Sequence, residues 1–167
     1  LDSVYQYDPS LDSWTEMTPM PTRRADMAAV VAGGKIFVLG GINELGALET
    51  NEIYQPDREG EAETPWSSAQ DMPDARYGMG AASLADIIQV IGGENDSGSD
   101  PLPLAYFPLA DQWQVLEEPV YPRAVYLRVI PLGVNLFSLG GQIDQSPTGQ
   151  NLAYQFIYTI SIPIIVK

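Results

Sequence analysis

The chain has neither cysteine nor histidine among its 167 residues. Disulfides, thiolate catalysis and imidazole metal ligation are excluded for it, and no Ser/His/Asp or Cys/His set can be assembled. Basic residues are scarce: 8 Lys and Arg stand against 22 Asp and Glu, a formal net charge of −14. A phosphate backbone needs a Lys/Arg footprint, so nucleic acid is not a partner, and anionic membrane surfaces are disfavoured. The acid excess reads as solubility or as a surface for cations or a basic partner. No apolar run is long enough to span a bilayer. The nearest, Phe156 to Val166, is interrupted by Thr159, Ser161 and Pro163. There is no signal peptide, but the first residue is Leu1, inside a repeat, so the true N-terminus is expected upstream.

What is present is periodic. Gly-Gly recurs at Gly40-Gly41, Gly92-Gly93 and Gly140-Gly141, each closing an aliphatic run. Trp14, Trp66 and Trp113 precede these doublets by 26, 26 and 27 residues, and Arg24, Arg76 and Arg123 each lie 10 residues after their tryptophan. A period near 50 residues means a repeat architecture. Hydrophobic residues at 45% suffice for a core, and charged residues at 18% are too few for a disordered chain.

Each unit parses into four short strands. In the middle one, Tyr77 to Leu84 is small and apolar, Ala85-Asp86 makes a tight turn, and Ile87 to Ile91 stops at the glycine doublet. A polar loop, Glu94 to Pro101, precedes Leu104 to Phe107, and a last strand begins at Trp113. Second strands are expected near Ile36–Leu39, Ile87–Ile91 and Leu136–Leu139, with no helix beyond a turn or two. An acidic insertion, Arg58 to Glu63, separates Pro56 from Trp66 and is expected to be solvated.

These elements together resemble the kelch repeat. The aromatic-before-proline phrase (Tyr7…Pro9…Trp14, Phe107-Pro108…Trp113) and the steps Met20-Pro21-Thr22-Arg23-Arg24 and Met72-Pro73-Asp74-Ala75-Arg76 complete the pattern. In the last copy Pro122-Arg123 keeps the arginine, with Val120 where the proline stands elsewhere. The resemblance implies an all-β fold: kelch-type β-propeller blades of four antiparallel strands, here an incomplete propeller. The expected division is the end of one blade in 1–22, blades in 23–72 and 73–118, and a last blade with an apolar tail in 119–167. Blades are wedges, so the innermost strands need small residues, as at Ala25, Ala28, Ala29, Gly78, Gly80, Ala81 and Ala82. The last copy departs with Tyr126, Leu127 and Arg128, which predicts a bulge or a bulky neighbour. The three tryptophans are expected between blades rather than as sugar platforms.

Three and a fraction blades leave apolar faces exposed, so the chain reads as the C-terminal part of a longer propeller, or as one closed by a second copy or a larger assembly. The tail Tyr158 to Lys167 is an aberrant last strand, or resembles the aliphatic-Pro-aliphatic tails of some bacterial surface proteins. An extracellular or cell-surface location is the corresponding expectation.

In the kelch topology, the loops before the first strand and between the second and third share one face. That implies Arg24, Arg76 and Arg123 near the channel mouth, with Asn43, Glu94, Asn95 and Gln142 around them. The arginines either bind a ligand carboxylate bidentately or form buried ion pairs with loop carboxylates. Glu94, Asp96 and Asp100 offer hard oxygen ligands for Ca²⁺ but lack the EF-hand pattern, and a solvated loop is the competing reading. Asn95-Asp96-Ser97 matches a glycosylation sequon. No cofactor is expected, and the copper-oxidase branch of the family needs His and Cys ligands that this chain lacks. Two functions follow: a non-enzymatic scaffold binding a protein, peptide or glycan through its loop face, or a kelch-type enzyme acting on an acidic sugar, mutarotase-like.

Overall fold

The computed structural model describes residues 1–97, 101–116 and 124–155, the side chains of 154 and 155 excepted. The tail expected as a last strand, 158–167, lies outside the described residues. Strands β1 (Val4–Asp8) and β2 (Ser13–Met17) form an antiparallel pair. Strands β3 (Ala28–Ala32) and β4 (Lys35–Leu39) follow, then a small hairpin of β5 (Ile42–Asn43) and β6 (Gly46–Ala47). Strands β7 (Asn51–Tyr54) and β8 (Trp66–Ser68) complete a four-stranded sheet in the order β3-β4-β7-β8. The next sheet repeats it with β9 (Gly80–Leu84), β10 (Ile87–Ile91), β11 (Leu104–Phe107) and β12 (Gln112–Val115). The last described sheet joins β13 (Arg128–Leu132), β14 (Asn135–Leu139) and β17 (Asn151–Gln155), with a hairpin of β15 (Gln142–Ile143) and β16 (Ser146–Pro147) between. All pairings are antiparallel, and a single 3₁₀ turn at Pro56–Arg58 is the only helix among the described residues. These are the meander blades of a propeller.

The sheets stack face to face, which explains why β4 is apolar at successive positions. Its Val38 packs backwards on Met20, Tyr54 and Trp66. Its Phe37 and Leu39 pack forwards on Met79, Ile88, Val90 and Tyr106 of the next sheet. Beyond that, Ala82 and Ile91 meet Leu127, Val129 and Leu136. Each central sheet is thus covered on both faces, as parallel-like runs of apolar residues require. The small-residue rule for inner strands has a visible cause at Gly80, where a Cβ would run into Val129 of the following sheet. The turn at Ala85-Asp86 has φ of 52° and 59°, the left-handed pair that a two-residue hairpin demands.

Three expectations meet a definite outcome. The last inner strand does not bulge: β13 and β14 pair without interruption from Arg128↔Leu139 to Leu132↔Asn135. Tyr126 precedes the strand at φ 59°, and Leu127 fills the inter-sheet space. Trp14 is not a buried blade-to-blade residue; it is 68% exposed, since no described sheet covers its outer side. The acidic insertion is not wholly solvated either. Arg58 ties Glu61 and Glu63 at 3.0 Å each, but Glu59 turns inward.

Glu59 belongs to a clamp that joins sheets at their outer rim. Its carboxylate accepts the Tyr54 hydroxyl at 2.6 Å and the Thr18 backbone N–H at 2.9 Å. The Trp66 indole N–H donates to the carbonyl of the same Thr18 at 3.0 Å. One residue beyond β2 is therefore gripped at both its N–H and its C=O. The next sheet repeats the device: Asp111 accepts the Tyr106 hydroxyl and the Gln70 N–H, each at 2.7 Å, while Trp113 donates to the Gln70 carbonyl at 2.8 Å.

Candidate functional site

The lead-in to each inner strand bridges the start of the loop after the second strand: Ala25 with Ile42, Tyr77 with Glu94, Val125 with Gln142. These bridges bring both loop families to one face. Successive sheets are tied there by main-chain hydrogen bonds, Gly78 N–H to the Asp26 carbonyl at 2.8 Å and Tyr126 N–H to the Gly78 carbonyl at 2.6 Å. Asp26, Gly78 and Tyr126 all take positive φ, 53°, 66° and 59°, to make this turn. Glycine does so without strain; an aspartate and a tyrosine accept it for the inter-sheet bond.

Arg24 and Arg76 lie beneath this face and point inward. Arg24 donates to Thr22 and Gly40 carbonyls and, at 2.5 Å, to Glu52, whose other oxygen accepts the Thr22 hydroxyl. Arg76 donates to Gly92 and Leu102 carbonyls and forms a two-pronged pair with Asp74. Both guanidinium side chains are 0% exposed. Burial pushes each pKa down, opposed at Arg24 by Glu52 and at Arg76 by Asp74. Of the two arginine readings, the geometry at these positions is the internal ion pair, and neither fork is presented to solvent. Arg123 lies outside the described residues.

The remaining candidates are distributed along the loops. Asn43 is half-buried and caps its own turn, accepting the Leu45 N–H at 2.8 Å. Glu94 and Gln142 sit half-buried at the bridges, and the Asn95 amide oxygen accepts the Ser97 hydroxyl at 2.7 Å. Asp96 reaches across to the preceding sheet and accepts the Ala47 N–H at 2.8 Å. Asp100, the third member of the Ca²⁺ candidate set, lies outside the described residues. Among the described residues no group of three acidic side chains is placed to hold a metal.

Further side chains complete the face; of these, sequence reasoning passed over Leu45 and the place of Tyr126 on it. Tyr126 passes beside Gly78, where a Cβ would come within 3.4 Å of its ring. Burial, then Asp26 and Glu94, raise its pKa; burial and Glu94 raise that of Tyr77. A cleft of about 380 Å³ opens between Glu94, Tyr126, Gln142 and Asp144. Glu44, Leu45 and Asp144 are exposed, Leu45 at 94%. Their signal was a positional one: each stands at a fixed offset from a glycine doublet or a step arginine.

Repeated four-stranded blades with a loop-bearing face define a β-propeller repeat protein. The match to known sequences agrees: the Kelch motif model matches residues 23–73. Kelch-like protein 26 of Danio rerio is 27% identical over 145 residues, 86% of this chain and 23% of that protein. Kelch-like protein 40 of Mus musculus is 31% identical over 122 residues, 71% of this chain and 18% of that protein. Beta-scruin of Limulus polyphemus is 30% identical over 147 residues, 83% of this chain and 15% of that protein. The chain belongs to the kelch-repeat family. It spans about a quarter or less of the length of these relatives.

Proposed function

We propose that this chain is a non-enzymatic kelch module that binds a protein partner through its loop face. The observation that carries the reading is the division of labour between Arg24/Arg76 and the loops. The arginines are consumed inside the blades, while Glu44, Leu45, Asp144 and Tyr126 are exposed above them. The similarity to Kelch-like proteins supports the same class. A varied face with an exposed leucine and tyrosine suits a protein or peptide partner. An extracellular or cell-surface setting is part of the proposal; it rests on the tail sequence and is tested by fractionating the host cell.

The test compares affinity capture by the unaltered chain and by Leu45→Asp combined with Asp144→Lys. Partners lost to the double variant by tenfold or more, with melting unchanged, support the loop face. Equal capture by both would place binding elsewhere. The acidic-sugar enzyme reading depends on outward arginine forks, and catalysed anomer exchange of a sugar acid, followed by NMR, would favour it instead.

A further inference from the structure

The loop face carries acids that nothing in the described chain neutralises. Glu94 and Asp144 form no ion pair among the described residues, and neither does Asp26 beside them. The arginines nearest in sequence are committed elsewhere: Arg23 to Asp2, Arg24 to Glu52 and Arg76 to Asp74. Lys35 stands at the β3–β4 turn, at the opposite end of the strands.

One place on this face is a shaped cleft. Its volume of about 380 Å³ lies between Glu94, from the loop of the second sheet, and Val125, Tyr126, Gln142, Asp144 and Gln145 of the third. Tyr126 brings an aromatic ring, 44% exposed, whose backbone N–H is anchored on the Gly78 carbonyl at 2.6 Å. The two preceding sheets have Asp26 and Gly78 at this position, so only the third sets a ring there. The β15–β16 hairpin, paired at Ile143↔Ser146, holds Asp144 and Gln145 at its tip.

The lining therefore offers two carboxylates, two side-chain amide oxygens and a phenol ring. Burial first, then Asp26 and Glu94, raise the Tyr126 pKa, since a phenolate there would face negative charge. A potential that opposes a phenolate favours a cation at the same point. Guanidinium is a planar, weakly hydrated fork of N–H donors that also stacks on aromatic faces. Acceptors on both walls beside a ring suit such a fork, whereas an ammonium is a compact and strongly hydrated point charge.

We propose that this cleft takes an arginine side chain of the protein partner, its guanidinium on the Tyr126 ring and Glu94 and Asp144 as counter-charges. The proposal names the partner's chemistry and rests on the loop-face reading above.

The probes are capped tripeptides, acetyl-Gly-Arg-Gly-amide and its citrulline and lysine analogues, added to the full chain carrying ring-¹³C-labelled tyrosine. Loss of a signal in Tyr126→Phe assigns Tyr126. The arginine peptide should move that signal saturably, with a dissociation constant on the order of 1 mM. Citrulline, which keeps the shape and loses the charge, should not saturate, and lysine should bind at least about threefold more weakly. Asp144→Asn should weaken arginine binding by about threefold, as loss of an exposed ion pair does. Glu63→Gln, in the acidic insertion and 84% exposed, should leave it unchanged. The buried Tyr54 and Tyr106 signals report an intact fold in every variant. No saturation by the arginine peptide up to about 10 mM would overturn the proposal. So would citrulline or lysine binding equally well, or Glu63→Gln acting as strongly as Asp144→Asn, because net charge alone would then attract the probe. Any of these results, with partner capture still lost to the Leu45→Asp and Asp144→Lys double variant, would remove the arginine cleft and leave the loop-face reading standing.

Discussion

The buried arginines make a sharp prediction, because two blades neutralise the same guanidinium from different positions. Arg24 takes its carboxylate from Glu52 on β7, with Thr22 two residues before the arginine. Arg76 takes its carboxylate from Asp74, two residues before it, and the β11 position that matches Glu52 is Leu104. Register fixes the match: Glu52 pairs with Val38 and Leu104 with Val90, each two residues before its glycine doublet. Glu52→Leu should therefore leave a fully buried guanidinium without its counter-charge, a loss of about 3–5 kcal/mol. For a domain of this size that is a melting-point fall of about 6–20 °C. Adding Thr22→Asp should recreate the arrangement of the next blade and recover at least about 2 kcal/mol as a coupling energy. Urea unfolding of the parent, two single variants and the double variant, followed by circular dichroism, measures each corner of the cycle. A single-variant loss under about 1 kcal/mol, or a double variant no better than Glu52→Leu, would refute the equivalence.

Trp66 is 6% exposed within a cluster of Met20, Val38 and Tyr54, so Trp66→Ala should cost about 3–5 kcal/mol in the same assay. Trp14→Ala, at a ring 68% exposed, should cost under about 1 kcal/mol. The clamp carboxylates Glu59 and Asp111 are held below their usual range, chiefly by the Tyr54 and Tyr106 hydroxyls. A depressed folded-state pKa adds stability above the unfolded value, near 4, and loses it as pH falls through the folded one. Asp111→Asn should therefore flatten the acid limb of a stability–pH curve. At the other extreme, burial first and then Glu59 push Tyr54 up to about 12. Stability should decline as pH rises from about 10, where unfolded tyrosine ionises, towards that value, and Tyr54→Phe should remove this part of the decline.

The strand grammar was legible because propeller blades bury both faces. An aliphatic-rich run closed by Gly-Gly, as at Ile36 to Gly41, has few other uses, and the second strands fall where the runs do. The rim clamps were only half legible. The tryptophans announced themselves by spacing, but their carboxylate partners did not. Asp111 stands two residues before Trp113, whereas the insertion moves Glu59 to seven before Trp66. A loop of mixed acids does not say which one turns in. The arginine network was ambiguous in sequence for a related reason. An arginine ten residues after a tryptophan fixes the backbone position, but inward or outward aim depends on a carboxylate that one blade supplies from β7 and another from the step itself. The sequence position of Trp14 matched its fellows, and its exposure differs because exposure depends on what stands opposite, which no local pattern encodes.

Such substitution of one carboxylate source for another bears on how the face can diversify. Blade cohesion rests on three things that lie away from the loop tips: the apolar stack, the rim clamps and the neutralised arginines. At the channel mouth the inter-sheet bonds from Gly78 and Tyr126 run through main chain, so they constrain φ more than side-chain identity. Asp96 is a partial exception, since its carboxylate accepts the Ala47 N–H and thereby ties two neighbouring loops. Leu45 and Asp144 have no such duty in the structure, and both project from short hairpins whose backbone is already paired. Changes there alter what the face presents without altering what holds the blades. Free variation at hairpin tips over a fixed interior is the physical basis on which one fold can serve different partners.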